Sequence, residues 1–340
     1  MKFLITGGCG FIGSNFLHYS VNKYPSDEFV CLDLLTYAGN YDNVKDLENQ
    51  KNYKFIKGDI RDKNFIFNLF QKEKFDIVIN FAAESHVDNS IKNPNIFALT
   101  NIIGTINLLN ACNMMKEIHP ITRYHQISTD EVYGDLPLEE SIIKFTENTL
   151  LKPSSPYSAS KASADLEVLA YSRTFNIPVS ISRCSNNYGP YQYPEKLIPL
   201  VIFKALHNEK IPVYGTGENI RDWINVYDHV QGIDMIVRNG KKGEIYNIGG
   251  HSEKSNLYVV KTILKYLNKP ETLIEYVKDR PGHDLKYAID SSKIESELNW
   301  SRKFTFEEGI KNTIDWYLNN EKWFNDLTIK EQRKEMELNE

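Results

Sequence analysis

The strand-forming run Lys2-Phe3-Leu4-Ile5-Thr6 leads directly into a glycine-rich turn, Gly7-Gly8-Cys9-Gly10-Phe11-Ile12-Gly13, and the helical pattern Ser14–Lys23 follows at once. That order is restrictive. A strand that passes through a glycine turn into a helix needs a crossover to return, and repeated crossovers build a parallel sheet with helices on both faces. Gly10 lets the backbone approach a pyrophosphate, Gly13 lets helix and strand pack closely, and the helix N-terminus offers amide donors to the anion. The candidate cofactor contacts in this turn are Gly7, Gly10, Phe11, Ile12 and Gly13. Taken alone, such a turn is weak evidence, because glycines also mark ordinary tight turns.

The context strengthens it. A second apolar strand, Phe29–Leu32, ends at Asp33, twenty residues after Gly13, where an acid can accept hydrogen bonds from an adenosine ribose. A lone Asp in that place also serves as a helix cap or turn residue. Its charge would repel a ribose 2′-phosphate, which favours NAD over NADP. The alternation continues with strand Tyr53–Lys57, the turn Gly58-Asp59-Ile60, a helix from Asn64 to Lys74, and strand Ile77–Phe81 ending in Ala82-Ala83-Glu84-Ser85-His86. This pattern predicts an α/β chain with a Rossmann-type doubly wound parallel sheet, its ligands gathered at the carboxyl ends of the strands. Ala82 and Ala83 would let a cofactor lie against backbone; tight helix packing accounts for them equally well.

The chemistry-bearing residues come next. A long apolar helix, Asn95–Met115, leads to strand Tyr124–Ile127, which delivers Ser128-Thr129-Asp130-Glu131 to the rim, and the helix after Pro156 carries Tyr157-Ser158-Ala159-Ser160-Lys161. Positions i and i+4 share a helix face, which sets the Lys161 ammonium near the Tyr157 phenol. A phenol normally titrates near ~10; a neighbouring ammonium and a nicotinamide cation both favour phenolate, a usable base toward a sugar hydroxyl. Thr129 could orient the same hydroxyl. Tyr157 and Lys161 alone indicate hydride transfer at a carbinol carbon. The adjacent carboxylates Asp130 and Glu131 add an acid and a base, and so indicate that water leaves while the hydride is held. Anywhere else in the chain, that pair would read as a solvated rim.

At these residues the sequence resembles the extended short-chain dehydrogenase/reductase family, and within it the dTDP-glucose 4,6-dehydratases. The resemblance runs along nearly the whole chain. It is carried by Ala82–Asp88, Ser128–Gly134, Ser185–Pro190, Arg221-Asp222-Trp223 and Asp279–Asp284. It implies a lyase that uses NAD: Tyr157 takes the C4 hydroxyl proton as hydride leaves C4, Glu131 removes the C5 proton, Asp130 protonates the departing C6 hydroxyl, hydride returns to C6 and a proton returns to C5. Related UDP-xylose synthases and GDP-mannose 4,6-dehydratases carry Ser before the Glu, and UDP-galactose 4-epimerases lack the acid pair, so Asp130 argues against those three. The resemblance further places Asp59, Ile60, Thr100 and Asn187 near the cofactor. Around the nucleotide sugar it places Ser85, His86, Asn186, Lys196, Leu197, Pro212, Tyr214, Arg221, Asn256, Arg280 and His283. Arg221 and Arg280 would clamp the diphosphate bidentately; without the resemblance, a surface ion pair would be the better reading for each. The implied substrate is dTDP-glucose, with UDP-glucose the nearest rival. Two other readings stay open: an NDP-sugar 4-epimerase, and a non-catalytic NAD-sensing protein that keeps the fold. A homodimer is implied, built from the helices near Asn95–Met115 and Tyr157–Phe175.

Composition bounds the rest. With 340 residues, 41% of them hydrophobic, the chain can bury a large core and divide in two. The expected halves are a NAD-binding domain over 1–184, rejoined by 223–249, and a smaller α/β C-terminal domain over 185–330 that holds the nucleotide sugar. A charged tail, 331–340, would follow. The aromatic, proline-rich loop Tyr188–Pro194 suits a ligand wall. A net charge of −5 gives no footprint for nucleic acid. A first strand at Lys2 leaves no room for a signal peptide, and no apolar run is expected to reach membrane-crossing length. The cysteines Cys9, Cys31, Cys112 and Cys184 lack paired or metal-type spacing, which points to reduced thiols, a cytoplasmic protein and no metal. Two positions depart from the family pattern: Cys9 stands where Ala is usual and Leu34 where Lys is frequent. Cys9 beside the pyrophosphate would make the site sensitive to thiol reagents.

Overall fold

The computed structural model describes residues 1–138, 143–279 and 282–327; the expected charged tail lies outside them. The described strands are β1 (Lys2–Thr6), β2 (Glu28–Asp33), β3 (Tyr53–Lys57), β4 (Ile77–Asn80), β5 (Arg123–Thr129), β6 (Val179–Cys184), β7 (Asn186–Tyr188), β8 (Ile211–Tyr214), β9 (Ile220–Asn225), β10 (Ile245–Ile248), β11 (Glu253–Ser255) and β12 (Ile274–Val277). Seven of them pair in the order β10-β6-β5-β4-β1-β2-β3, and every pairing is parallel. The order reverses between β1 and β4. Ligand sites in such sheets form at that switch point, beyond the carboxyl ends of the strands, and Thr6, Asp33, Asn80, Thr129 and Cys184 are those ends.

Alternating side chains explain why the central strand β1 carries the unbroken apolar run Phe3-Leu4-Ile5. Phe3 and Ile5 enter one core with Phe16, Leu17 and Val230. Leu4 faces the opposite way, into a second core with Leu69, Leu108 and Val168. Each face thus has its own helical layer. The Val226–Asn239 helix packs on Phe11–Lys23, where Asp234 takes the Lys23 ammonium at 3.0 Å, and β10 extends the sheet beyond β6. A second assembly, made by the sheet β11-β9-β7, the pair β12-β8 and the helices Leu197–Leu206, Asn256–Tyr266 and Phe306–Asn319, has a separate core that includes Tyr188, Ile202, Ile263 and Tyr317.

Two expectations change here. The 21-residue helical stretch Pro94–Met114 does reach membrane-crossing length and apolarity, but half of it is buried inside the protein, and Leu108, Leu109 and Ala111 belong to the second core. It is a core helix. It is also not uniform: residues Ala98–Ile103 are π-helical, a local widening often found at functional sites. The aromatic loop, in turn, is only partly a ligand wall. Tyr188 is in the core against Phe306, and Tyr191 stacks on His18 and meets Trp316 and Trp323.

Candidate active site

Steric fit fixes the glycine turn. A Cβ on Gly7 would lie 2.6 Å from the Ala82 nitrogen, and one on Gly13 2.3 Å from the Gly7 oxygen. On Gly10 it would meet only the Gly7 oxygen, at 3.3 Å. Gly10 caps the Phe11–Lys23 helix without a side-chain hydrogen bond, and the first turn carries no acid. Its amides are therefore available to a pyrophosphate. Asp33 accepts from the Cys9 N–H at 2.9 Å and the Leu35 N–H at 2.8 Å, one on each oxygen. A carboxylate oxygen has a second lone pair, which leaves acceptors for ribose hydroxyls. Burial raises Asp33 above the usual carboxylate range, and its backbone hydrogen bonds offset only part of that.

Cys9 does not face the anion site. Its Sγ lies 3.9 Å from Cys31 Sγ, fully buried in the core beneath the turn. The hydrogen bond to Cys31 and burial push the thiol far above its ordinary value. The expected sensitivity to thiol reagents is thus overturned. All four cysteines are free and buried.

A cleft of about 320 Å³ opens above the turn. Every predicted cofactor position lines it: Gly7, Gly10, Phe11, Ile12, Gly13, Asp33, Asp59, Ile60, Ala82, Ala83, Thr100, Tyr157, Lys161 and Asn187. The π-helical stretch turns Asn101 toward the 82–85 loop. Its Oδ1 accepts from the Glu84 N–H at 2.9 Å, while its Nδ2 donates to the Glu84 carbonyl at 3.0 Å and to Ser160 Oγ at 2.8 Å. One buried side chain thereby ties the loop after β4 to the helix that carries Tyr157.

Thr129, Asp130 and Glu131 line the same cleft. β5 ends at Thr129, and Asp130–Tyr133 is a 3-10 turn. Thr129 Oγ1 accepts from the Glu131 N–H and donates to Asp130 Oδ1, both at 3.3 Å. Asp130 is 1% exposed, and its Oδ2 is buried with no hydrogen-bond partner. Burial, then the charges of Glu131 and Asp222, push Asp130 well above the usual carboxylate range, against a smaller opposing effect of Arg221. Tyr157 is also held well above its ordinary value, by burial and then by Glu131. Lys161 donates to the Ile127 carbonyl at 2.5 Å, and burial lowers it. Spacing on the helix predicted a phenol eased toward phenolate by the lysine. Burial depth, which spacing does not reveal, outweighs that effect in the protein alone.

Of the predicted sugar contacts, Ser85, Asn186 and Lys196 line the cleft beside Thr129. His86 borders it by capping the Val87–Lys92 helix, its Nε2 3.6 Å from Glu195. Leu197 opens the helix after Lys196. The remainder gather in a second cluster. Tyr214 at the end of β8 meets the His283 ring edge-on at 6.2 Å, and His283 Nδ1 is 2.6 Å from Asp279. The Asn256 N–H bonds the Asn219 carbonyl at 3.0 Å, Pro212 lies in β8, and Arg221 Nη2 donates to the Asp284 carbonyl at 2.9 Å. Arg221 is not in a surface ion pair. It is buried, with its guanidinium 4.3 Å from the centre of the Tyr287 ring. Arg280 lies outside the described residues.

Sequence reasoning missed several lining residues. Tyr37 donates to Glu195 at 3.4 Å and meets Tyr193 edge-on, so residues far apart in the chain meet in the lining of the cleft. Lys196 adds a bond to the Ser85 carbonyl at 3.0 Å. Glu195 follows the flagged aromatic loop, the only signal that pointed to it. Tyr37, four residues past Asp33, had none.

Fold and cleft together define a short-chain dehydrogenase/reductase of the extended type, with acid-base groups added to the Tyr-Lys helix. The GDP-mannose 4,6 dehydratase family model matches residues 4–313, and the chain belongs to that family within the extended short-chain dehydrogenases/reductases. It is similar to the dTDP-glucose 4,6-dehydratase of Escherichia coli, 49% identical with 95% of each chain covered. Among solved structures, the dTDP-glucose 4,6-dehydratase of Bacillus anthracis in complex with NAD is 47% identical, covers 96% of this chain and 99% of its own, and has a TM-score of 0.87. That of Streptomyces venezuelae, with NAD and TDP bound, is 41% identical, covers 96% of this chain and 100% of its own, and has a TM-score of 0.91.

Proposed function

We propose that this chain is a NAD-dependent hydro-lyase that converts dTDP-glucose to dTDP-4-keto-6-deoxyglucose and water. The observation that carries the reading is Asp130: a carboxyl 1% exposed and pushed upward, next to a second carboxylate in the cleft that holds Tyr157 and Lys161. When bound, NAD supplies a hydride acceptor for C4 and then a hydride donor for C6, and its oxidised ring carries positive charge over the site. Tyr157 takes the C4 hydroxyl proton, with Thr129 orienting that hydroxyl and Lys161 contributing a cation. The resulting ketone acidifies the C5 hydrogen, which Glu131 removes. Asp130, protonated in its dry position, donates to the C6 oxygen as the C6–O bond breaks, and water leaves. The two electrons removed at C4 return as hydride at C6 and a proton returns to C5, so the sugar loses only water and no external oxidant is consumed.

In this reading, Ser85, Asn186 and Lys196 hold the sugar. Arg221, Tyr214, Asn256 and His283 take the nucleotide diphosphate, with Arg280 assigned to the same task. The Rossmann unit comprises 1–184 with 223–249, and the sugar-nucleotide unit 185–330. Ile91, Leu99, Ile103, Leu166 and Phe175 are exposed apolar groups on the 87–114 and 156–175 helices; a second copy of the chain would cover them in a homodimer. Four free cysteines fit a reducing cytoplasm. The test is incubation with dTDP-glucose and UDP-glucose in parallel, following the alkaline absorbance of a 4-keto sugar and the loss of water by mass. Keto product from dTDP-glucose, with less from UDP-glucose, is expected. No keto product from either rejects the reading.

A further inference from the structure

Three charged side chains lie in the dry layer between the Pro156–Phe175 helix and the sheet: Lys161, Asp165 and Arg183, all buried. Lys161 and Asp165 are one turn apart and share a helix face. Both reach β5 at consecutive residues. Lys161 Nζ donates to the Ile127 carbonyl at 2.5 Å, and Asp165 Oδ2 accepts from Ser128 Oγ at 3.0 Å. From β6, Arg183 Nε donates to the same Asp165 oxygen at 2.9 Å, and its Nη1 to the Tyr133 hydroxyl at 3.0 Å. Tyr133 in turn donates to Asn247 Oδ1 at 2.8 Å. Asp165 Oδ1 is buried and has no hydrogen-bond partner. Arg183 thus pairs with one oxygen of this carboxylate, Lys161 lies one helical turn from it, and its other oxygen is left bare. A bare buried carboxylate oxygen is costly unless a cation's field reaches it, and Lys161 is the cation on its own helix face.

We propose that Asp165 is the shared counter-ion of Lys161 and Arg183, a positioning residue that keeps Lys161 charged beside Tyr157 and so sets the upper pH limit of C4 oxidation. This rests on the reading of Tyr157 and Lys161 given under Proposed function. Lys161 bonds the Ile127 carbonyl on β5 and feels the charges of Asp165 on its own helix and Cys184 on β6; Tyr157 shares its helix, and Asp130 and Glu131 line the same cleft. Burial pulls the ammonium down, and Asp165 is the foremost group that pulls it back up. Asp165 is raised by burial and held down by Arg183 and then by Lys161. With a neutral residue at 165, two buried cations would face each other without an anion. Arg183 cannot lose its proton, so Lys161 must.

The experiment compares D165N and R183Q with the wild type, measuring kcat for 4-keto sugar formation against pH and folding by circular dichroism. D165N removes the anion, and the alkaline limb moves to lower pH by about one unit or more, in line with loss of a close opposite charge. R183Q removes the competing cation and moves the limb upward. A merely structural role lowers kcat without moving the limb, so folded variants whose limbs coincide with the wild type overturn the proposal. If D165N does not fold, the direction of the R183Q shift decides. The pH dependence of NAD binding, measured by calorimetry, needs no turnover and should show the same opposed shifts. A wild type that binds NAD but forms no keto sugar sinks the proposed function, while the binding profiles still judge Asp165.

Discussion

Asp130→Asn puts the acid assignment to a quantitative test. The substitution keeps shape and volume. A protonated Asp130 and the asparagine that replaces it each bury polar hydrogen at a position where Oδ2 has no partner, a penalty of about 1–3 kcal/mol that cancels between them. They differ in proton binding. Burial and the charge of Glu131 raise the folded-state affinity of Asp130 for its proton, so its favourable contribution is fully present below the unfolded value, ~3.9, and is lost as pH rises through the raised folded value. Between those limits the folded wild type holds one proton more than the unfolded chain, and its stability falls by about 1.4 kcal/mol per pH unit. The asparagine variant has no such loss.

The variant therefore gains on the wild type as pH rises. From pH 5 to pH 7 the gap widens by about 2.8 kcal/mol if the carboxyl stays protonated to neutrality, as an acid catalyst must. Urea unfolding of both proteins at several pH values measures this, and other titrating groups cancel in the difference. The same variant loses the proton for the leaving hydroxyl, and kcat falls about 10²–10⁴-fold. C4 oxidation survives, so NADH absorbance should rise on mixing and fail to decay. A stability gap independent of pH would mean that Asp130 titrates as an ordinary carboxyl, and the acid would have to be sought elsewhere.

Glu131→Gln should leave C4 oxidation intact and abolish exchange of the C5 hydrogen with deuterated solvent, read by mass; unchanged exchange would move the base elsewhere. Because burial and Glu131 hold the Tyr157 phenol high, the C4 oxidation rate should climb with pH from 6 to 8, and a flat profile would argue against a phenolic base. Cys9 should resist iodoacetamide in the native chain with or without NAD, and react only in denaturant; native labelling would contradict its place against Cys31. Leu99→Lys with Leu166→Glu should convert a dimer to monomer by light scattering, without altering NAD affinity more than about twofold; a dimer that persists would place the partner elsewhere.

The sequence order alone predicted the parallel sheet, because strand, turn and helix recur along the first half and the runs that form β1, β2 and β4 are apolar. It also predicted which residues would line one cleft, since a glycine turn and the following strand ends can reach only one place in such a sheet. It did not reveal which way Cys9 points, because a turn residue can face the ligand or the core, and Gly8 leaves room for Cys31 beneath. Nor could it weigh Lys161 against burial at Tyr157, since helix spacing sets proximity but not depth. The Tyr37–Glu195 contact joins residues 158 apart, a separation over which no local pattern carries. Arg221 was expected as a diphosphate clamp, and its protein contacts were not foreseen. Its engagement with the 284 carbonyl and the Tyr287 ring depends on how β9 meets the loop after β12.

What separates an acid from a base in adjacent residues is the end of β5. On a continuing strand, Asp130 and Glu131 would point to opposite faces of the sheet, one of them into a helical layer away from the cleft. The chain instead enters a 3-10 turn at Asp130, where successive side chains splay around the axis by a third of a turn. Both carboxyls then line the cleft, but at different depths: Asp130 is shut away from water, whereas Glu131 is only partly buried. Depth favours the neutral form and nearness to a second carboxylate favours it again, which suits the inner residue to the acid's part in the proposed mechanism. Thr129 caps that turn through its Oγ1, and the same oxygen is the one assigned to orient the sugar. Thr129→Val should therefore do more than lose one substrate contact: by loosening the turn it should shift the pH dependence of dehydration, whereas Thr129→Ser, which keeps the hydroxyl, should not.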